Sequence, residues 1–230
     1  VKRKAVVYLR YNYNDGKQDT MDEVQNIRLF LFDLATDRLY RDTTLTREAF
    51  LTDTGAMQTY ISNGRYEFVC MANVGHGSTV SAPTLDISEQ GADPLFFGRV
   101  QTPIVKGDSL RFDIALFKSV YKINVLIEGL QNLDNPEEFY FGLENYSSLT
   151  FANEPAGEFK LYKPELVYNS SKNTLSGSFY TPYFPMDSPI TLGIYTDNPS
   201  SVYGHTLFES SIRRYMEIGP NIGGDVEIDV

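Results

Sequence analysis

Apolar and polar residues alternate with a period of two through most of this chain of 230 residues. Alternation over about 4–8 residues is typical of β-strands with one buried face, and helical periodicity is scarce here. Residues 5–11 follow this pattern and predict a first strand, which ends before the turn residues Asn14-Asp15-Gly16. The run from Ile27 to Phe32 is apolar at nearly every position and predicts a central strand that is covered on both sides.

Two further features lie between residues 57 and 94. Residues 57–61 and 66–72 alternate and flank Asn63-Gly64, a dipeptide that strongly favours a two-residue hairpin turn. The sequence therefore predicts that these two strands pair as a β-hairpin. Residues 74–94 are rich in Gly, Ser, Pro and Asp and lack sustained alternation, which predicts a long loop with one helical turn near Asp86 to Gln90.

The alternation changes phase near the middle of the chain. Apolar residues occupy even positions from Leu110 to Leu116 and odd positions from Tyr121 to Ile127. One regular strand cannot send both sets into the same core, because its side chains alternate strictly between two faces. Either a bulge lies at residues 117–120, or the chain leaves one sandwich and enters another. The position at the midpoint favours the second explanation and predicts two β domains, residues 1–117 and 118–230.

The second half repeats the pattern of short apolar runs separated by turn residues. These runs cover residues 139–143, 149–151, 159–162, 178–180, 190–195 and 226–230. The one good helix start is Asn135-Pro136-Glu137-Glu138, with Asn as the cap, Pro at the first helical position and acids that complement the helix dipole. Strand character resumes at Phe139, so this helix is short. Many short strands with turns between them predict an all-β sandwich or barrel.

Composition and charge exclude several classes of function. The net charge of −10 disfavours nucleic acid as a partner, because a phosphate backbone would be repelled. Cys70 is the only cysteine, so neither an internal disulfide nor a thiolate metal site is available. No stretch reaches the roughly 20 apolar residues that a membrane-spanning helix needs. The start at Val1 rather than Met, without a signal-peptide pattern, predicts that an upstream segment has been removed.

Four stretches together resemble the fimbrillin superfamily of Bacteroidetes, the FimA/FimB-type subunits of type V pili and related cell-adhesion proteins. They are residues 27–33 (IRLFLFD), 63–73 (NGRYEFVCMAN), 95–98 (LFFG) and 116–125 (LFKSVYKINV). Their order and spacing are similar to the first domain and the crossover strand of such subunits. Residues after about 130 match only in the rhythm of their strands.

The resemblance implies two tandem transthyretin-like antiparallel β-sandwich domains and a non-enzymatic role in fimbrial assembly and cell adhesion. It implies a secreted lipoprotein whose signal peptide is removed, attached to the cell outer membrane through a lipidated Cys upstream of Val1. The implied partners are other fimbrial subunits, which join by donor-strand exchange. In that process an extended segment of one subunit completes the open sheet of its neighbour by backbone hydrogen bonds.

One departure from the family pattern favours an anchor or accessory subunit over a stalk subunit. Stalk subunits of the family are activated when an Arg-directed protease removes the first strand and leaves a groove for the donor. The loop that should be cut here, Asn14 to Val24, contains Lys17 but no Arg. The next arginines along the chain are Arg28, Arg38, Arg41 and Arg47.

No residue is predicted to be catalytic, to bind a cofactor or to ligate a metal. Cys70 is in phase with Phe68 and Ala72 and is therefore predicted to face a core as a small apolar side chain. His76 and His205 lie in Gly-rich segments without the local partners of a metal or triad motif, so both are interpreted as solvated loop residues.

Two functional alternatives remain beside the fimbrial one. A glycan-binding surface lipoprotein would use exposed aromatic residues such as Tyr180, Tyr183 and Tyr203, although residues 180–185 are better interpreted as a bent strand end. An enzyme is the weakest alternative, because no set of nucleophile, base and orienting group emerges. The acidic residues of the terminal run 225–229 are interpreted as a solvated face rather than as part of a donor strand.

Overall fold

The computed structural model describes residues 3–11, 23–52, 56–102, 109–185, 187–216 and 225–230. Within these ranges the chain is nearly all β, and most strand pairs are antiparallel. The predicted all-β fold class is confirmed. No helix of the described chain has the length and apolarity needed to cross a membrane.

The described strands are numbered in chain order. They are β1 (Arg3–Tyr11), β2 (Asn26–Asp33), β3 (Arg38–Thr46), β4 (Ala56–Ile61), β5 (Tyr66–Ala72), β6 (Ser78–Ser81), β7 (Thr84–Ile87), β8 (Phe96–Gln101), β9 (Ser109–Lys118), β10 (Val120–Ile127), β11 (Phe139–Thr150), β12 (Pro155–Tyr162), β13 (Val167–Asn169), β14 (Thr174–Pro182), β15 (Thr191–Thr196), β16 (Thr206–Ser211) and β17 (Asp225–Asp229). One α-helix, α1 (Arg47–Thr52), follows β3 directly, and 3-10 turns cover Leu130–Asn132, Pro136–Glu138 and Ile212–Arg214.

The chain forms two compact units. The first comprises Val1–Val74 and Pro94–Lys118, and the second comprises Gly75–Asp93 and Ser119–Val230. The predicted domain boundaries, 1–117 and 118–230, stay a prediction. Like the predicted domains, the two units divide near residue 118. They differ from the prediction in residues 75–93, which belong to the second unit.

The first unit is built on one sheet with the strand order β3-β2-β5-β8-β9-β1-β4. Strand β2 is internal, as predicted, and its residues Leu29, Phe30 and Leu31 are each at most 3% exposed. Ile61 at the end of β4 shares a core with Leu29, although their strands are far apart in the order. The sheet therefore folds over a single apolar core.

The second unit is a sandwich of two sheets. Among its described strands, one sheet has the order β13-β14-β10-β17, and the other has the order β16-β15-β11-β7-β6 with β12 paired to β11. Phe141 of β11 contacts Phe179 of β14 edge to face, with 6.1 Å between the ring centroids. Both rings are buried, so this contact joins the two inner faces into one core.

The phase change in the sequence marks the passage of the chain from one unit to the other. Strand β9 pairs with β1 and β8, whereas β10 pairs with β14 and β17. Leu116 lies in the core of the first unit, while Ile123 is buried within the second. Ser119 separates the two strands and is fully buried. The phase change therefore coincides with a change of sheet, from the sheet of β9 to the sheet of β10.

The predicted hairpin between residues 57–61 and 66–72 is wrong. Strand β4 pairs with β1, and β5 pairs with β2 and β8. A type I′ turn needs positive φ at both central residues, but neither Asn63 nor Gly64 has it. The Asn-Gly dipeptide therefore lies in a connection between strands that are not neighbours.

The predicted loop at residues 74–94 is also wrong in part. Strands β6 and β7 form a hairpin there, and β7 continues the sheet of the second unit by pairing with β11. Each strand has only four residues, which is too short for sustained alternation to show in the sequence. The helix start at Asn135 proved short as expected, since only Pro136–Glu138 form a 3-10 turn, and the Asn135 side chain does not cap it.

The buried side chain of Asn73 fixes the geometry where β5 leaves its sheet. Its amide nitrogen donates to the carbonyls of Glu23 (2.8 Å) and Pro94 (2.7 Å), and its amide oxygen accepts from the backbone N–H of Gln25 (2.7 Å). Asn73 is 2% exposed and has a φ of 64°, a left-handed conformation that Asn tolerates better than most residues. One side chain thus joins three separate segments of the first unit.

We expect Asn73→Gly to lower the free energy of unfolding by about 2 kcal/mol, because three partly buried backbone groups lose their partner. Glycine accepts the positive φ without strain, so the loss reports the hydrogen bonds rather than the backbone conformation. Urea denaturation of the variant beside Asn63→Gly, at an exposed position, measures the difference. Equal stability of the two variants would contradict the role given to Asn73.

Candidate functional site

Strand β1 occupies an internal position of the sheet in the first unit. It is parallel to β9 over eight register pairs, from Lys4↔Ser109 to Tyr11↔Leu116. It is antiparallel to β4 over six register pairs, from Arg3↔Ile61 to Tyr8↔Ala56. Both edges of β1 are therefore engaged in backbone hydrogen bonds.

Strand β4 depends on β1 for its place in the sheet. Among the described strands, β4 pairs with β1 and with no other. Removal of β1 would leave a groove with β9 on one side and β4 on the other, and β4 would lose its ladder. This position is the place in the first unit where an added strand would have two partners.

The segment that leads into β2 is held firmly. Val24 is fully buried, and its carbonyl accepts a hydrogen bond from the Arg47 guanidinium at 2.6 Å. The backbone N–H of Arg47 donates to the carbonyl of Gln25 at 2.7 Å, and Lys118 lies 3.6 Å from the Glu23 carboxylate. Together with the Asn73 amide, these contacts fix residues 23–25 to the body of the first unit.

The predicted protease-sensitive loop, Asn14 to Val24, lies mostly outside the described residues, which resume at Glu23. The first arginine after it, Arg28, lies in the internal strand β2. Its guanidinium donates to both carboxylate oxygens of Asp42 in β3, at 3.0 and 2.8 Å. This hydrogen-bonded carboxylate raises the pKa of Arg28. Arg28 is therefore part of the sheet rather than of a cleavable connection.

The acidic residues of β17 lie on an exposed face, as predicted. Asp225, Glu227 and Asp229 are exposed, while Val226 and Ile228 are buried. In the described part of its sheet, β17 has β10 as its one neighbour and is parallel to it. Among the described strands, β17 therefore has a partner along one edge, whereas β1 has partners along two.

A cleft of about 650 Å³ lies in the second unit, at the segment whose sequence predicted a loop. Its floor is formed by Ser178, Phe179 and Tyr180 of β14. One wall consists of Ser88 and residues 90–93 together with His76 and Gly77, and the other consists of Pro164 and Glu165. The backbone N–H of Lys163 donates to the carbonyl of Glu89 at 2.7 Å and so joins the two walls.

Close backbone contacts build the first wall. A β-carbon on Gly91 would lie 2.7 Å from the Tyr180 carbonyl oxygen, and one on Gly77 would lie 2.2 Å from the Gly91 carbonyl oxygen. Both glycines also have positive φ. Other residues cannot replace them without moving the wall. The N–H of Ala92 donates to the Tyr180 carbonyl at 3.0 Å and fixes the wall to the floor.

The structure places the three candidate chemical residues as follows. Cys70 is fully buried in the core of the first unit, and burial raises the pKa of its thiol. The prediction that it faces a core is confirmed. His76 is exposed on its loop and lies 3.0 Å from the Asp93 carboxylate. His205 is also exposed, and its ring nitrogen lies 3.3 Å from the Thr196 carbonyl.

The three tyrosines of the glycan hypothesis do not form one platform. Tyr180 lines the 650 Å³ cleft, whereas Tyr203 lines a separate cleft of about 110 Å³. The hydroxyl of Tyr183 donates to the Asn153 carbonyl at 2.8 Å. Next to Tyr183, the buried ring of Phe184 packs against Tyr121 at 5.0 Å, as expected of a bent strand end with aromatic packing. Only Tyr180 therefore combines a ring with the larger cleft.

Sequence reasoning missed the residues that form the walls of the larger cleft. Gln90, Asp93 and Glu165 are polar residues in segments without strand periodicity, and their proximity depends on tertiary structure alone. The positions of Gly77 and Gly91 gave a signal, because an isolated glycine often marks a close backbone approach. Within the described ranges, no group of three or more His, Cys, Asp or Glu residues could hold a metal ion.

Comparisons with known proteins agree with this architecture. The family model of fimbrillin-A associated anchor proteins Mfa1 and Mfa2 matches residues 3–221. No curated protein matches the sequence. Similar solved structures include a candidate adhesin from Bacteroides ovatus, with a TM-score of 0.76 and 13% identity over 99% of this chain and 88% of that one.

Two further structures are similar in fold. A candidate polysaccharide-binding protein from Bacteroides thetaiotaomicron has a TM-score of 0.74 and 12% identity over 99% of this chain and 90% of that one. The fimbrial anchor protein Mfa2 from Porphyromonas gingivalis has a TM-score of 0.69 and 13% identity over 100% of this chain and 90% of that one. At these identities the likeness establishes the fold.

We expect the Cys70 thiol to resist alkylation in the native protein, because it is fully buried and its raised pKa keeps it protonated. Mass spectrometry after iodoacetamide treatment should show no adduct in buffer and one adduct in denaturant. The variant Ser200→Cys, at an exposed position, is the control and should react in buffer. Rapid labelling of native Cys70 would contradict its burial.

Proposed function

Because the chain belongs to the family of fimbrillin-A associated anchor proteins Mfa1 and Mfa2, we propose that it is a fimbrial anchor or accessory subunit that keeps its own first strand. The single observation that carries this proposal is the placement of β1. It is paired with β9 over eight register pairs and with β4 over six. A subunit in this state offers no groove in the first unit for a donor strand.

Strand addition is the proposed mode of contact with other fimbrial subunits, and it takes place at an edge other than the β1 position. The two ends of the first sheet are partly covered, because the Tyr40 hydroxyl of β3 donates to the Tyr60 carbonyl of β4 at 3.4 Å. The open side of β17 in the second unit is the better candidate. Unpaired backbone groups along such an edge accept an extended segment of a partner.

The remaining parts of the proposal follow from family membership. The protein acts at the cell surface, attached to the outer membrane through a lipidated Cys upstream of this sequence, and takes part in adhesion. It acts without enzymatic activity and without a cofactor or metal. We also propose that its two units are tandem transthyretin-like sandwich domains, as the family resemblance implies. These statements extend the family assignment, and a lipid modification found by mass spectrometry of the protein from its native membrane would test the attachment.

We expect an Arg-specific protease to leave β1 attached in the purified wild-type protein, since the loop from Asn14 to Val24 has no Arg and Arg28 is held in β2 by Asp42. Lys17→Arg is the matched control, and it should be cut in that loop under the same conditions. N-terminal sequencing and native mass spectrometry measure the outcome. Loss of the residues before Ile27 from the wild type, followed by polymer formation, would overturn the anchor proposal.

A disulfide that locks β1 to β4 should leave fimbrial assembly intact, because an anchor of this kind never releases β1. Val6 and Gln58 are register partners in the antiparallel ladder, so the double variant Val6→Cys/Gln58→Cys places two thiols opposite each other. Electron microscopy of cells that carry only this variant measures fimbriae, with each single variant as a control. Assembly that fails in the oxidised double variant but not in either single variant would show that β1 must leave.

A further inference from the structure

We propose that the cleft of the second unit binds a neutral oligosaccharide. Its volume of about 650 Å³ falls within the range of small-molecule sites, about 300–1,000 Å³. The proposal does not rest on the anchor function, because that function is argued from β1 and the β17 edge. The cleft is instead built from β14 and the two segments that cross it.

The charge of the lining selects against anionic ligands. Asp93 and Glu165 both line the cleft, and the described lining residues include neither Lys nor Arg. A phosphate, a sulfated sugar or a sialic acid would therefore meet carboxylates without a compensating cation. The net charge of −10 for the whole chain likewise disfavours an anionic ligand.

The hydrogen-bonding groups that line the cleft match sugar hydroxyls, because each hydroxyl can both donate and accept a hydrogen bond. Asp93 supplies acceptors and the Gln90 amide supplies both kinds. The Nδ1 atom of His76 lies 3.0 Å from the Asp93 carboxylate, which leaves Nε2 for a ligand. The side chains of His76 and Asp93 are 87% and 43% exposed, so a sugar can reach them. An apolar ligand would form no hydrogen bond with these groups and would gain nothing from them.

One aromatic ring and a fixed backbone complete the site. The half-buried Tyr180 lines the cleft and supplies an amphipathic ring of the kind that covers the apolar faces of sugars. The wall is preorganised, since Ala92 is hydrogen-bonded to Tyr180 and the Ser88 hydroxyl donates to the Gly91 carbonyl at 2.7 Å. A preformed wall lowers the entropy that binding would otherwise cost.

The test uses the full chain on an array of neutral, sialylated and sulfated oligosaccharides, followed by titration calorimetry with the strongest neutral binder and with an oligolysine peptide. We expect saturable binding to at least one neutral oligosaccharide. Asp93→Ala and Gln90→Ala should each weaken it at least tenfold. The control Glu158→Ala removes an exposed carboxylate that does not line the cleft and should bind as the wild type does.

A second variant guards against misfolding as the cause of any loss. Ser178→Tyr adds a ring to the floor at an exposed strand position and should abolish binding while the circular dichroism spectrum and melting temperature stay close to those of the wild type. Three results would each overturn the proposal: no neutral oligosaccharide binds, binding is unchanged in the three cleft variants, or an acidic glycan or the oligolysine peptide binds more tightly than every neutral one. All three leave the anchor proposal untouched, since its tests address β1.

Discussion

The double pairing of β1 is the constraint on which the first unit depends. Strand β1 joins β9 to β4, and β4 has no other neighbour among the described strands. Ile61 at the end of β4 is fully buried in the core with Leu29 and Phe68, so the position of β1 also determines how that core is closed. The proposed anchor role rests on this first strand, both of whose edges are engaged.

Strand β9 leads from the first unit into the second half of the chain. It pairs with β1, ends at Lys118, and is followed after the buried Ser119 by β10, which pairs with β17. Strand β1 is thus parallel to β9 in the first unit, and β17 is parallel to β10 in the second. Among the described strands, β1 has two neighbours and β17 has one.

The sequence predicted the features that arise from local alternation and missed those that depend on distant pairing. Residues 27–32 and the phase change between Leu116 and Tyr121 identify a buried strand and a change of sheet, because burial imposes a strict period on each strand. The hairpin predicted from Asn63-Gly64 is wrong, because the propensity of a dipeptide for a tight turn does not determine which strands pair. The four-residue strands β6 and β7 are too short for a period to be recognised. The cleft walls were not predictable, since Asp93 and Glu165 are distant in the sequence and line the same cleft only through the fold.

Native-state hydrogen exchange of the β1 amides tests the central claim most directly. If β1 is a permanent part of the sheet, its amides exchange only through the same opening that exposes β9 and β4, with similar free energies in all three strands. The measurement needs no partner and no variant, and it compares strands within one molecule. Exchange of β1 at a much lower free energy than β9 would show that β1 detaches on its own, and would contradict the account of a subunit that keeps its first strand.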